Sequence, residues 1–274
     1  MRKELIALLL LVVVVAAFWF FTRPKEEQVI CSAVCKYGCI TGTAQCREPP
    51  PPVCPSSCKL GCIPGTAECT PEVVIPKVKQ IESCGVIKES SELNMDLSSD
   101  NTCLYIQNDD VLIDCRGHSI SGSQEEGSYA IHIGGRRNVT IKDCVIKNYA
   151  SGILVESSSN VSLLDIQAHN NLEDGILLKL SSYILIERTT TSSNGKSGIE
   201  LISSTDLNLS DNIISGNAFG IQIESSNITA FSNNVMYSSS ASDLRCYYEV
   251  QIRNAEANIC NEVDGCDVNC SPYH

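Results

Sequence analysis

The chain has 274 residues, 43% of them hydrophobic, and a formal net charge of −12 at pH 7. That apolar share suffices for a sizeable core. The charge is uneven: residues 1–77 hold 8 Lys/Arg against 6 Asp/Glu, while residues 78–274 hold 12 against 26, a net of −14. So acidic a body repels phosphate backbones. That argues against nucleic acid as a partner and leaves cationic partners, metal ions or neutral glycans.

The first element is Leu5–Phe21, an uncharged apolar run between Arg2-Lys3 and Arg23-Pro24-Lys25. It is long enough to span a bilayer as a short helix. A cleaved signal peptide is the alternative, but Ala16-Ala17 runs into bulky Phe18-Trp19-Phe20-Phe21, a poor cleavage site and a good interfacial belt. The sequence therefore predicts a cytoplasmic stub and membrane anchor over residues 1–27. Sixteen cysteines, an even number, set the orientation. They point to disulfides in an oxidising compartment, so the chain beyond about residue 24 is expected outside the cytoplasm.

Residues 28–70 hold a tandem duplication. Cys31, Cys35, Cys39 and Cys46 recur 23 residues later as Cys54, Cys58, Cys62 and Cys69, and 10 of 16 positions are identical. Pro49-Pro50-Pro51-Pro52 between them favours stiff polyproline II. Modules this small cannot bury a useful core, so two disulfides each are expected, with a zinc site of four cysteine thiolates as the rival. Four cysteines allow three pairings, and the sequence does not choose. A protease-resistant stalk is the expected role, followed by a linker over residues 71–80.

From residue 130 a period of 22 or 23 residues begins, with units starting at Ala130, Gly152, Gly175, Gly198 and Gly220. Each opens on an alternating strand such as Ile153/Val155 or Ile199/Leu201. A Ser-rich turn follows, then a second strand such as Val161/Leu163 and a shorter third one such as Ile166/Ala168. A turn carrying Asn148, Asn171, Asn194 or Asn217 closes the unit. Period-2 alternation means strand, and three short strands per unit in constant register predict a parallel β-helix. Stacked coils about 4.8 Å apart would share one core, with equivalent Asn side chains bonded along the axis.

The residues Ser83-Cys84-Gly85, Cys103–Ile106, Asp114-Cys115-Arg116-Gly117-His118 and the Gly-Ile unit openings sharpen this reading. Through them, residues 84–270 resemble right-handed parallel β-helix repeat proteins of the NosD-like and pectate-lyase-like superfamily. The resemblance implies an all-β, right-handed parallel β-helix over residues 81–274, with an N-cap at 81–102 and a Cys-rich C-cap at 246–274. Open solenoid ends need such caps. Cys84 with Cys103 and Cys115 with Cys144 are the expected disulfides, buried free thiols being the alternative for the second pair. Cys246, Cys260, Cys266 and Cys270 would pin the tail in an order the sequence leaves open.

In lyases and hydrolases of this fold the cleft usually lies on the outer face of the first strand. Here alternation turns His132, Leu154, Leu177, Glu200 and Gln222 outward, and beside them Glu156, Lys179 and Glu224. Carboxylates one or two coils apart bracket the separations that glycosidases use, and Glu200 with Glu224 are the catalytic candidates. Glu156, Lys179, Glu200, Gln222 and Glu224 are the ligand-binding candidates, against the plainer reading of a solvated acidic face. Asp143, Asp165, Arg188 and Asp211 form a second outward ladder, in which Arg188 relieves the repulsion of its neighbours. No cofactor is required, and calcium is the ion that ladder would suit. For copper, His118, His132, His169, His274, Met95 and Met236 make no cluster. Sequons at Asn138, Asn160, Asn208 and Asn227 are expected to enter the second strand at one repeat phase, as the repeat alone would produce.

These features predict a membrane-anchored cell-surface or periplasmic protein that binds a glycan or another envelope component, or serves as structure. The alternative is a carbohydrate-active enzyme, a polysaccharide lyase or glycoside hydrolase, on the same scaffold. A NosD-like, copper-related periplasmic role is third.

Overall fold

The computed structural model describes residues 40, 45, 46, 48, 55, 56, 68 and 78–273. The predicted anchor, most of the cysteine modules and most of the linker lie outside these residues. Cys46 is disulfide-bonded, which for this residue decides between the disulfide and zinc readings.

Pro76–His274 forms one compact unit, a parallel β-helix of three sheets. A nine-stranded sheet runs from Gly85–Ile87 to Val263–Asp264, a ten-stranded one starts at Lys79–Ile81, and a seven-stranded one runs from Leu97–Ser98 to Val235–Tyr237. Each coil feeds the three sheets in turn. Ile131, Ile153, Ile176, Ile199 and Ile221 stand in register, as do Val139, Val161, Ile184 and Leu207. Their side chains are buried in a single core. One coil has too little apolar surface to fold alone. Burying each aliphatic side chain against neighbouring coils contributes about 1.5–3 kcal/mol, so stacking supplies the stability.

The solenoid also reaches beyond the periodic stretch. Within residues 81–102, which the sequence suggested as an N-cap, Gly85–Ile87 already pairs with Leu104–Ile106, and Ser91–Leu93 pairs with Lys79–Ile81. Uneven turns there hide the 22–23-residue period while leaving the two-residue alternation intact.

Three buried ladders hold the corners. Ser158, Ser181, Ser204 and Ser226 each present Oγ to a backbone N–H of the preceding coil. Asn171, Asn194 and Asn217 do the same with Oδ1 at the turn before the first strand. Asn212, Asn234 and Asn258 repeat the pattern before the third strand. Removing one such group orphans a buried N–H, at about 1–3 kcal/mol. Asn148 is not part of the predicted Asn stack: Tyr149 fills that place, donating its N–H to Asn171 Oδ1 and its hydroxyl to the Ser121 carbonyl. Burial, then the charge of Asp100, pushes the Tyr149 hydroxyl up to about 12. Gly175 is required beside this ladder, because a Cβ there would sit 2.6 Å from the Gly198 carbonyl and 2.9 Å from Asn194 Nδ2.

The turns repeat left-handed positions, filled mainly by Asn, Asp, Ser and Gly, for which that conformation costs least. Asn138, Asn160 and Asp206 share one such phase, but Asn208 stands two residues later, opposite Leu185. The shared phase expected of the sequons therefore fails at Asn208, since its triplet is read from the strand itself. In the Asp ladder Arg188 grips Asp165 with two bonds, at 2.8 and 3.0 Å, as charge compensation requires. That contact draws the Asp165 carboxyl down, against a smaller opposing effect of desolvation.

Cys84–Cys103 and Cys115–Cys144 are bonded as expected, and free thiols at the second pair are thereby overturned. Cys246–Cys266 and Cys260–Cys270 close the tail. Such a set of disulfides marks an extracytoplasmic protein.

Candidate functional site

The outer face of the nine-stranded sheet is a row of side chains, one per coil. Val86, Tyr105 and His132 lead it; Leu154 and Leu177 follow; Glu200, Gln222 and Arg245 complete it. The two ends of this row differ.

At the N-terminal end the face is open. Tyr105 is 44% exposed, and its ring meets His132 edge-on at 5.8 Å between centroids. Tyr129 also approaches the imidazole, its ring tilted at 42° and 5.8 Å away between centroids. Burial, reinforced by Glu173, Glu156 and Asp174, raises the Tyr129 hydroxyl pKa, so it stays a neutral donor. His132 Nε2 lies 2.8 Å from Glu156 Oε1. Gly134 makes room for that contact: a Cβ there would come 3.1 Å from Nε2. Arg136 donates through Nε to the Gly134 carbonyl at 2.9 Å and through Nη1 to the Gln107 carbonyl at 2.7 Å. Val86, Tyr105, Gln107, His132 and Arg136 line an open groove of about 320 Å³.

The middle of the row is closed and apolar, with Leu154 and Leu177 only 5% and 4% exposed although they point away from the core.

Toward the C-terminal end the row becomes a sealed polar cluster. Glu200, 3% exposed, accepts bonds from Lys196 Nζ at 2.8 and 2.7 Å and from Gln222 Nε2 at 2.9 Å. Asp174, fully buried, accepts from the Ser197 N–H at 3.0 Å and lies close enough to Glu200 for the two charges to interact. Burial, then the Glu200 charge, pushes the Asp174 carboxyl up to about 7. Its other carboxyl oxygen, Oδ2, is buried without a hydrogen-bond partner among the described residues, which further disfavours the charged form. Beyond the cluster, Arg245 is sandwiched between Phe219 and Tyr247 and faces Asp264 at 3.1 Å.

The sequence candidates are thus divided. Glu156 belongs to the open end. Lys179 pairs across to Glu156 and Ile202 in the sheet register and forms no ion pair among the described residues. Glu200 and Gln222 are bonded to each other in the sealed cluster. Glu224 stands opposite Ile202, one coil on and two residues along from Glu200, so the two glutamates are diagonal and not in one row. Glu200 instead interacts electrostatically with Asp174. Glycosidase carboxyls must reach a sugar from opposite sides, whereas these two are covered by Lys196 and the turn that carries it. Alternation alone missed Asp174, Lys196 and Arg136 because they lie in or beside turns. Tyr105 lay in a coil without a visible period, although its outward phase was legible between Leu104 and Ile106. Among the described residues no group of three His, Cys, Asp or Glu side chains is placed to hold a metal ion.

Residues 89–268 match the family described as the right handed beta helix region. The chain belongs to this right-handed β-helix family. No curated protein matches it. Among solved structures, it is similar to the A-module of the mannuronan C-5 epimerase AlgE4 of Azotobacter vinelandii, with 16% identity over 67% of this chain and 56% of that one and a TM-score of 0.48. It is also similar to the periplasmic alginate epimerase AlgG, with 18% identity over 64% and 43% of the two chains and a TM-score of 0.46. A third likeness is to PfbA, a surface adhesin of Streptococcus pneumoniae, with 12% identity over 67% and 63% and a TM-score of 0.36. The β-helix chain spans about half the length of these structures. At such identities and TM-scores the likeness says nothing of what it binds.

Proposed function

We propose that this chain is a membrane-anchored, extracytoplasmic glycan-recognition protein, and that its ligand lies in the open groove on the outer face of the nine-stranded sheet. The observation that carries the reading is the exposed Tyr105 ring beside the His132–Glu156 pair, in a groove whose walls also offer Gln107 and Arg136. Sugar rings present C–H faces that pack on aromatic rings and hydroxyls that need paired donors and acceptors, and this groove has both. The groove is built on strands of a stacked solenoid, so little order has to be gained on binding. The cysteine modules would hold it away from the membrane. Burial of Asp174 and Glu200 favours recognition over turnover, because these two carboxyls are out of a substrate's reach.

The test is binding of the full chain, in detergent, to a panel of oligosaccharides by calorimetry, with Tyr105→Ala as the variant. Tyr105→Ala is expected to weaken the best ligand about tenfold, the magnitude of one lost aromatic contact, without moving the thermal midpoint. Binding that ignores the substitution, or no binding across the panel, would sink the proposal. New reducing ends or unsaturated products on incubation would move the protein to the enzyme class.

A further inference from the structure

The three most exposed large apolar side chains among the described residues stand on one corner of the solenoid, where the nine-stranded sheet passes into the ten-stranded one. They are Tyr248, Leu180 and Tyr183, at 83%, 66% and 65% exposure. All three have left-handed backbone, with φ of 60°, 51° and 56°. Coil by coil, the first left-handed position of this corner reads Gly135, Ser157, Leu180, Ser203, Ser225 and Tyr248. The second reads Asn138, Asn160, Tyr183 and Asp206. Elsewhere, then, the corner uses residues that are small or tolerate the conformation, whereas a bulky Leu or Tyr is strained there. None of the three belongs to the core, so packing does not offset the strain. A local rule broken without a packing gain marks a functional surface.

Leu180 and Tyr183 lie in one coil and Tyr248 three coils on, about 14 Å along the axis. On the near side of Tyr248, Thr205, Ser225, Asn227, Gln251 and the Tyr248 ring line a hollow of about 310 Å³. The N–H groups of Thr205, Ser225 and Asn227 are bonded to neighbouring coils, but their side chains make no hydrogen bond among the described residues. No Lys or Arg lines this hollow among the described residues, and its one charged side chain is Glu249, which disfavours anions. The polar floor separates the apolar side chains, so they form no continuous patch of the kind that a protein partner covers. A second copy is further disfavoured by charge, since residues 78–274 hold 12 Lys/Arg against 26 Asp/Glu.

We infer that this corner is a second glycan-binding site, which takes a neutral glycan chain lying along the solenoid axis. Sugar C–H faces pack on Tyr183 and Tyr248, Leu180 widens the first contact, and the side chains of Thr205, Ser225 and Asn227 exchange hydrogen bonds with the hydroxyls between. The inference shares its ligand class with the reading above but none of its residues, so either can fail alone.

The experiment titrates neutral oligomers of glucose, mannose and N-acetylglucosamine, two to six units long, into the full chain in a detergent without a sugar headgroup. Affinity for one series is expected to rise with length until the oligomer spans both walls. Tyr248→Ser and, separately, Leu180→Ser with Tyr183→Asn restore the residues that the repeat uses elsewhere. Each is expected to weaken the longest oligomers about tenfold, as for one lost aromatic contact. The thermal midpoint should hold or rise, because the left-handed strain is relieved. A midpoint that falls by several degrees in either variant identifies packing residues and overturns the inference. Affinity flat with length, or binding that ignores both variants, also overturns it; if that binding falls with Tyr105→Ala, the groove reading stands alone. Binding lost in the corner variants and indifferent to Tyr105→Ala supports the corner and counts against the groove. No binding to any of the three series overturns the corner and leaves the groove to the wider panel.

Discussion

The two ends of the outer face show how one backbone can carry opposite solutions. At the N-terminal end Tyr105, His132 and Arg136 meet at an exposed groove, with Glu156 behind it on His132 and the Arg136 guanidinium on backbone carbonyls. A few coils on, the same row turns inward-looking: Glu200 is held by Lys196 and Gln222 beneath the surface, beside a buried Asp174 whose Oδ2 has no hydrogen-bond partner among the described residues. The register is continuous between them, so the difference is one of side chains and turns. Carboxylates in the sequence are thus poor guides to chemistry on this scaffold. The residue that looks most catalytic by alternation, Glu200, is the one most fully consumed by its neighbours.

The comparison can be broken at the sealed end first. Lys196→Met would leave the Glu200 carboxylate buried without its cation. The expected cost is about 3 kcal/mol, toward the low end for an orphaned buried charge because the Lys196 side chain is 43% exposed and water can enter. Urea denaturation reads this directly, and a loss under about 1 kcal/mol would mean that the cluster is solvated after all.

Asp174 supplies a smaller effect with a sign. Folding raises its pKa from 3.8 to about 7, so between those values the folded chain holds a proton that the unfolded chain has released. The stability tied to this group is complete below pH 3.8 and is lost as pH rises through about 7. The loss is on the order of 1–2 kcal/mol once coupling to Glu200 is allowed for. Asp174→Asn, which still accepts from the Ser197 N–H, should flatten that part of the pH profile of the melting midpoint. A profile identical to wild type would count against a raised Asp174 carboxyl.

The open end should respond least in stability. Tyr105→Ala is expected to change it by less than about 0.5 kcal/mol, as for an exposed side chain outside the core, while weakening glycan binding about tenfold. If it unfolds the protein, Tyr105 is a packing residue and the contrast between the two ends disappears.

Much of this molecule was legible in the residues themselves. Ile131/Ile133, Ile153/Val155 and their successors alternate because a pleated strand has a period of two, and their constant spacing requires coils of constant length. Those two facts yield a parallel β-helix, its register and its outward-facing row without coordinates. The ladder of Asn171, Asn194 and Asn217 followed from the same period, whereas the Ser ladder and that of Asn212, Asn234 and Asn258 emerged only from the structure. Legibility ended where the period did. The coils before residue 130 kept their alternation but varied their turns, which hid Tyr105 as a groove residue. Asn148 was counted into a ladder that begins with Tyr149 because sequence spacing does not reveal which turn residue points inward.

The tertiary structure alone decided which polar groups meet. Whether Glu200 faces water, a second glutamate or an aspartate depends on how far each turn carries Asp174 and Lys196 over the sheet, and alternation carries no information about turns. The same holds for Arg136, whose availability rests on two carbonyls capturing its guanidinium before any carboxylate could. Fold here follows from short-range periodicity, while function depends on side chains brought together by the stacking of coils 22 or 23 residues apart in the chain.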